Sequence, residues 1–153
     1  MTLPARVLLS ALLSLAVCGC AGDDGGDDGG DSAGEPLSVR DAWIREPPPR
    51  SPAAAYLTIV NHGARPIELV AVETTIAART EIHVMEQNNG GMTMRRTESV
   101  IIPGHGEVSL RSGGTHLMLL DLQRQPLDGE AVEMVLRFGD GTQKRVDAPV
   151  RKG

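Results

Sequence analysis

Thr80–Thr97 reads TEIHVMEQNNGGMTMRRT. Two runs suited to strands, Thr80–Gln87 and Met92–Thr97, flank Asn88-Asn89-Gly90-Gly91, a connector built from the residues that turn a β-hairpin. With Asn88–Gly91 as the loop, Gln87 faces Met92, Met85 faces Met94 and His83 faces Arg96. Strand side chains alternate with period two, so His83, Met85, Met92 and Met94 share one face. His83 then lies diagonal to Met94, about 7–8 Å away along the backbone, within reach of long side chains.

The sequence outside this hairpin repeats its grammar. Leu37–Ile44, Ala54–Val60, Ile67–Thr74, Val100–Ile102, Glu107–Arg111, Thr115–Leu122, Glu130–Phe138 and Thr142–Val150 read as short strands. Gly- or Pro-containing turns separate many of them, including Pro103-Gly104-His105-Gly106, Ser112-Gly113-Gly114 and Gly139-Asp140-Gly141. Glu46-Pro47-Pro48-Pro49-Arg50-Ser51-Pro52 cannot join a ladder and is loop or edge. Ile76–Arg79 reads as a turn of helix between two strands. No stretch keeps a helical period over about eleven residues. Short strands punctuated this way predict an all-β fold, an antiparallel Greek-key β-sandwich, over residues 36–153.

The N-terminal residues follow different rules. Arg6 precedes Val7–Val17 (VLLSALLSLAV), an apolar run too short to span a bilayer, which needs about 20 residues. The reading is a signal peptide over residues 1–19. Leu15-Ala16-Val17-Cys18-Gly19-Cys20 resembles a lipobox, with Cys20 the favoured lipidated residue because Gly19 precedes it and Val17 stands three before. Cys18 is the competing position, and ordinary cleavage near Ala21 is the plainer alternative. Residues 20–35 read as the lipidated Cys and a disordered Asp/Gly tether, since Ala21–Glu35 has no apolar side chain larger than Ala. Such a chain spans roughly 20 Å. It lacks the spacing and closing Glu of an EF-hand. Ala21 directly after Cys20 favours the outer membrane, so the expected location is periplasmic and membrane-anchored.

Charge and cysteine content exclude several functions. The net charge is −5, but six of the acids lie between Asp23 and Glu35. Residues 36–153 hold fourteen basic and fourteen acidic side chains and are neutral. With only Trp43, Tyr56 and Phe138 as aromatics, this stretch offers neither a basic patch nor a stacking platform for nucleic acid. Both cysteines precede residue 21, which removes a disulfide scaffold, a Cys nucleophile and a thiolate metal site from the domain. No G-x-S-x-G, P-loop or H-E-x-x-H is present, so no enzyme is expected.

The remaining chemistry is in His and Met. His116 and Met118 are two apart on one predicted strand and share a face. One further strand adjacency would gather His83, Met94, His116 and Met118. Two imidazoles and two thioethers are soft and uncharged, which suits Cu(I); Ca²⁺ and Mg²⁺ prefer oxygen, and Zn²⁺ prefers thiolate, imidazole or carboxylate. A blue-copper electron carrier would need a Cys thiolate. On spacing alone the alternative stays open: a sandwich core with ordinary Met filler and two ordinary histidines.

His83, ten residues, Met94, twenty-one residues, His116, one residue, Met118 resembles the H-x10-M-x21-H-x-M signature of the periplasmic copper(A) chaperone family. Similarity extends to Ala42-Trp43-Ile44-Arg45, to Ala53–Leu57 after the Pro-rich loop, to Glu81-Ile82-His83 and to Gly113–Leu119, across nearly all of residues 37–150. The resemblance implies a cupredoxin-like β-sandwich with an exposed Cu(I) site formed by His83, Met94, His116 and Met118. It implies delivery of Cu(I) to the binuclear copper centre of cytochrome c oxidase subunit II. Met85 and Met92 would be auxiliary thioethers or packing residues; His62 and His105 match no ligand position and read as surface residues. Some members hold Cu(II) in a His- and Met-rich C-terminal tail; this sequence ends Val150-Arg151-Lys152-Gly153. Copper storage or tolerance through the same site, and a metal-free adhesion or assembly sandwich, are the rival readings.

Overall fold

A computed structural model of the protein describes residues 36–153. The expected signal peptide, Cys20 and tether lie outside the described residues. Within them the chain forms ten strands: β1 (Leu37–Arg45), β2 (Ala53–Asn61), β3 (Ile67–Thr74), β4 (Ala77–Asn88), β5 (Gly91–Thr97), β6 (Val100–Ile102), β7 (Gly106–Leu110), β8 (His116–Leu122), β9 (Ala131–Phe138) and β10 (Gln143–Arg151). The strand order is β5-β4-β8-β2-β1-β10-β9-β3-β6, with β7 also on β2. This is an all-β sandwich. One layer runs from β5 to β1, the other from β10 to β6, and the two join where β1 meets β10.

Alternation drives the layers together. On β9, Val132, Met134, Leu136 and Phe138 are buried, whereas Glu133 is exposed and Val135 and Arg137 are half-buried. Facing them, Ile44, Ala53, Ala55, Leu57, Ile59, Ile82, Leu117 and Leu119 line the inside of the other layer. Burial of these side chains stabilises the fold by about 25 cal/mol per Å² of apolar surface. Thr58 and Asn61 are buried polar residues that keep partners: Thr58 Oγ1 lies 3.0 Å from Ser109 Oγ, and Asn61 Nδ2 donates to the carbonyl of Arg65 at 2.8 Å.

One expectation is corrected. Ile76–Arg79 is no helical turn: Thr75 and Ile76 turn the chain, and Ala77 opens the twelve-residue β4. The reason is tertiary, because Ala77 and Arg79 pair with Leu122 and Leu120 of β8 while Ile76 is buried. The sandwich is antiparallel as expected, apart from one short parallel pairing of β1 with β10 at Ile44↔Val150 and Arg45↔Arg151. That short pairing joins the layers and leaves the rest of the ladder antiparallel.

Candidate metal centre

The hairpin register is the one read from sequence: Gln87↔Met92, Met85↔Met94 and His83↔Arg96. Pairing continues to Asn88↔Gly91, which tightens the loop to Asn89-Gly90. Gly91 has φ +121°, a conformation that L side chains rarely adopt. The missing adjacency is supplied by β8, which lies on the other side of β4. His83 stands directly opposite His116, and Glu81 directly opposite Met118.

Ile82 and Leu117 point into the core, so Glu81, His83, His116 and Met118 all stand on the outer face of this layer. There His83 Nδ1 lies 2.9 Å from Met94 Sδ. The rings of His83 and His116 meet edge to face with centroids 6.0 Å apart. Met118 shares the face of His116 two residues on and is half-buried. Exposure is graded across the site: His116 is only 6% exposed, whereas Met94 is 47% and Met92 50% exposed. Met85, half-buried, sits opposite Met94. Two imidazoles thus form the floor, and the thioethers of Met92 and Met94 the open rim.

A polar frame surrounds these groups. His83 Nε2 lies 2.9 Å from Glu81 Oε2, and His116 Nδ1 lies 3.0 Å from the Gly114 carbonyl oxygen. Arg79 Nη1 is 3.2 Å and Arg96 Nη1 is 3.8 Å from Glu81 Oε1. The hydrogen bond from His83, followed by the nearby Arg96 and Arg79 charges, holds the Glu81 carboxyl below the usual carboxylate range despite partial desolvation. Arg95 does the same for Glu86, which it meets at 2.6 Å. In the same layer, a bulge between Arg40 and Trp43 sets Trp43 opposite Tyr56, their ring centroids 4.7 Å apart. The sequence marks Glu81 only as part of Glu81-Ile82-His83 and gives it no role, since a Glu two residues before a His is a common polar-face pattern.

The donor set is specific in what it leaves out. Among the described residues, no group of three or more His, Cys, Asp or Glu could hold a metal ion. Soft thioethers beside two imidazoles suit a monovalent soft ion better than a hard divalent one. The other two histidines are remote. His62 Nε2 lies 2.9 Å from Ser38 Oγ, and His62 and His105 flank a hollow of about 340 Å³. Ala54 pairs with Met118 at one end of β2, and His62 follows its other end, roughly 25 Å along the strand.

The family model described as "Putative lipoprotein LpqE-like" matches residues 37–150, nearly all of the described domain. The chain belongs to the LpqE-like family. Its curated relatives include "Putative lipoprotein Lxx21020" of Leifsonia xyli subsp. xyli, 28% identical over 116 residues, 75% of this chain and 69% of that one. Among solved structures, "Solution structure of CuI-DR1885 from Deinococcus Radiodurans" is 30% identical with a TM-score of 0.58, covering 76% of this LpqE-like chain and 77% of that chain. "Copper-bound PCuAC domain from PmoF2" shares the fold with a TM-score of 0.67 at 24% identity, covering 78% of this chain and 95% of that chain. The LpqE-like sandwich is therefore the same cupredoxin-like architecture as these domains.

Proposed function

We propose that this protein is an extracytoplasmic Cu(I) chaperone whose ligands are His83, Met94, His116 and Met118. The observation that carries the reading is the approach of His83 Nδ1 to Met94 Sδ at 2.9 Å, across the strand from His116, on an accessible face. The copper-bound relatives support it. The four ligands are neutral and soft, and the Met94 thioether lies at the rim. An incoming thiolate of an acceptor displaces the exposed Met94 first and the imidazoles afterwards, so the ion passes by ligand exchange and is never free. Met85 and Met92, on the same face of the hairpin, are auxiliary thioethers along that route. Nothing in this chemistry asks for turnover of a substrate, so the role is carriage and not catalysis.

The acceptor we propose is the binuclear copper centre of cytochrome c oxidase subunit II. Residues 1–19 are a signal peptide, Cys20 carries the lipid, and residues 20–35 tether the neutral domain to the membrane, in our reading the periplasmic face of the outer membrane. The lipoprotein wording of the family and of its Leifsonia relative supports the anchor. Intact mass of membrane-extracted protein checks it: a diacylglycerol-modified Cys20 is expected, and an unmodified N-terminus near Ala21 contradicts it. A deletion strain at limiting copper tests the acceptor. Reduced oxidase activity, restored by the wild-type chain, is the expected result. Normal activity with heightened copper sensitivity would favour storage or tolerance, and failure of the anaerobically purified protein to take up Cu(I) would favour a metal-free adhesion or assembly sandwich.

A further inference from the structure

The two histidines of the site are not equivalent. A carbonyl oxygen only accepts hydrogen bonds, so the 3.0 Å contact to Gly114 places the hydrogen of the neutral His116 ring on Nδ1 and its lone pair on Nε2. His83 is arranged the other way round. Its Nε2 lies 2.9 Å from the Glu81 carboxylate, which only accepts, and its Nδ1 lies 2.9 Å from a thioether sulfur, which has no hydrogen to give. Both partners accept, and the carboxylate is much the stronger acceptor, so the single hydrogen of the neutral ring belongs on Nε2 and the Nδ1 lone pair is left on the side of Met94.

Glu81 is itself held in place. Its other oxygen meets Arg79 at 3.2 Å and Arg96 at 3.8 Å, Arg79 donates in turn to Asp121 at 3.0 Å, and the Glu81 side chain is only 15% exposed. Glu81 stands two residues before His83 on β4 and directly opposite Met118 of β8, the strand that carries His116. A carboxylate accepting from the far nitrogen of a metal-binding imidazole fixes the ring's rotation and tautomer and strengthens its donor nitrogen.

We propose that Glu81 is the positioning residue of the site: it holds His83 in the Nε2–H form, so that His83 offers Nδ1 and His116 offers Nε2 to the same ion. This deepens the Cu(I) reading and relies on it only for the identity of that ion. Nitrogen-15 NMR of the imidazoles tests it, first on the metal-free full chain and then on the Cu(I)-loaded one. In the metal-free wild type, His83 gives a slowly exchanging proton on Nε2. Glu81→Leu abolishes that signal while its circular dichroism stays that of the wild type, and Glu81→Gln, whose amide oxygen still accepts, retains it. With Cu(I) bound, His83 keeps its hydrogen on Nε2 and His116 on Nδ1. Glu81→Leu weakens Cu(I) binding by about 10–100-fold, and Glu81→Gln by much less. A Cu(I)-loaded wild type with hydrogen on Nδ1 of His83 overturns the proposal, as does a Glu81→Leu variant with unchanged imidazole signals and affinity. If the wild type binds no Cu(I) but shows the Glu81-dependent signal, the chaperone reading fails while the hold of Glu81 on His83 stands.

Discussion

Met94 and Met134 are the same side chain in opposite settings. Met134 is fully buried between the layers, whereas Met94 is nearly half exposed on the outer face. Truncating Met134 leaves a cavity in a packed core, so Met134→Ala should cost about 2–5 kcal/mol of stability and leave Cu(I) affinity unchanged. Met94→Ala should reverse that pattern, with stability within about 0.5 kcal/mol of wild type and Cu(I) affinity strongly reduced. Denaturant unfolding and competition with a Cu(I) chelator, run on both variants, check the pair. The sequence separates these methionines only through period two, which puts residues 83, 85, 92 and 94 on one face. It puts Glu81 on that face as well but does not give its contact with His83, because a hydrogen bond to a ring nitrogen depends on rotamers that strand periodicity does not specify.

The hairpin of β4 and β5 was legible because its loop residues and its alternation agree. A four-residue loop and the tighter Asn89-Gly90 turn give the same pairing, so the face assignment was insensitive to that detail. The neighbour on the other side of β4 was not legible. Alternation states which face a strand presents and is silent on which distant strand lies beside it, and β8 is reached only after β5, β6 and β7. The Ile76–Arg79 segment was misread for a related reason: short apolar runs carry no clear period, and pairing with β8 decides them. Within the hairpin, Gly91 at φ +121° is the residue that closes the turn. Gly91→Val should cost about 1–3 kcal/mol and loosen Cu(I) binding by displacing Met94. Gly90→Ala, with open space at its Cβ and no positive φ, should do neither. Thermal unfolding and the chelator competition distinguish the two.

At the scale of the whole domain, acid should remove copper before it unfolds the protein. Glu73 is held below its usual range chiefly by the hydrogen bond from Arg137, Glu86 by that from Arg95 and Glu130 by that from Arg124. Carboxyls lowered in the folded state stabilise it above their unfolded range, near pH 4.3, and this contribution is lost as pH falls through the lower folded values. All three are solvent-exposed pairs and each contributes little. The metal-free domain should therefore keep a flat unfolding temperature from about pH 7 to about pH 5 and lose stability only below about pH 4. Cu(I) binding should already weaken between about pH 7 and about pH 5, because an imidazolium has no lone pair to give. Unfolding temperature and copper occupancy measured on the same samples check the separation, and a flat binding profile would count against histidine ligation. The central claim is that four side chains on one sheet face carry Cu(I). Its most direct test is anaerobic Cu(I) titration against a competing chelator, comparing the wild type with the Met94→Ala/Met118→Ala double variant. One tightly held Cu(I) per wild-type chain and none in a folded double variant is the predicted result; equal affinity in the two would contradict it.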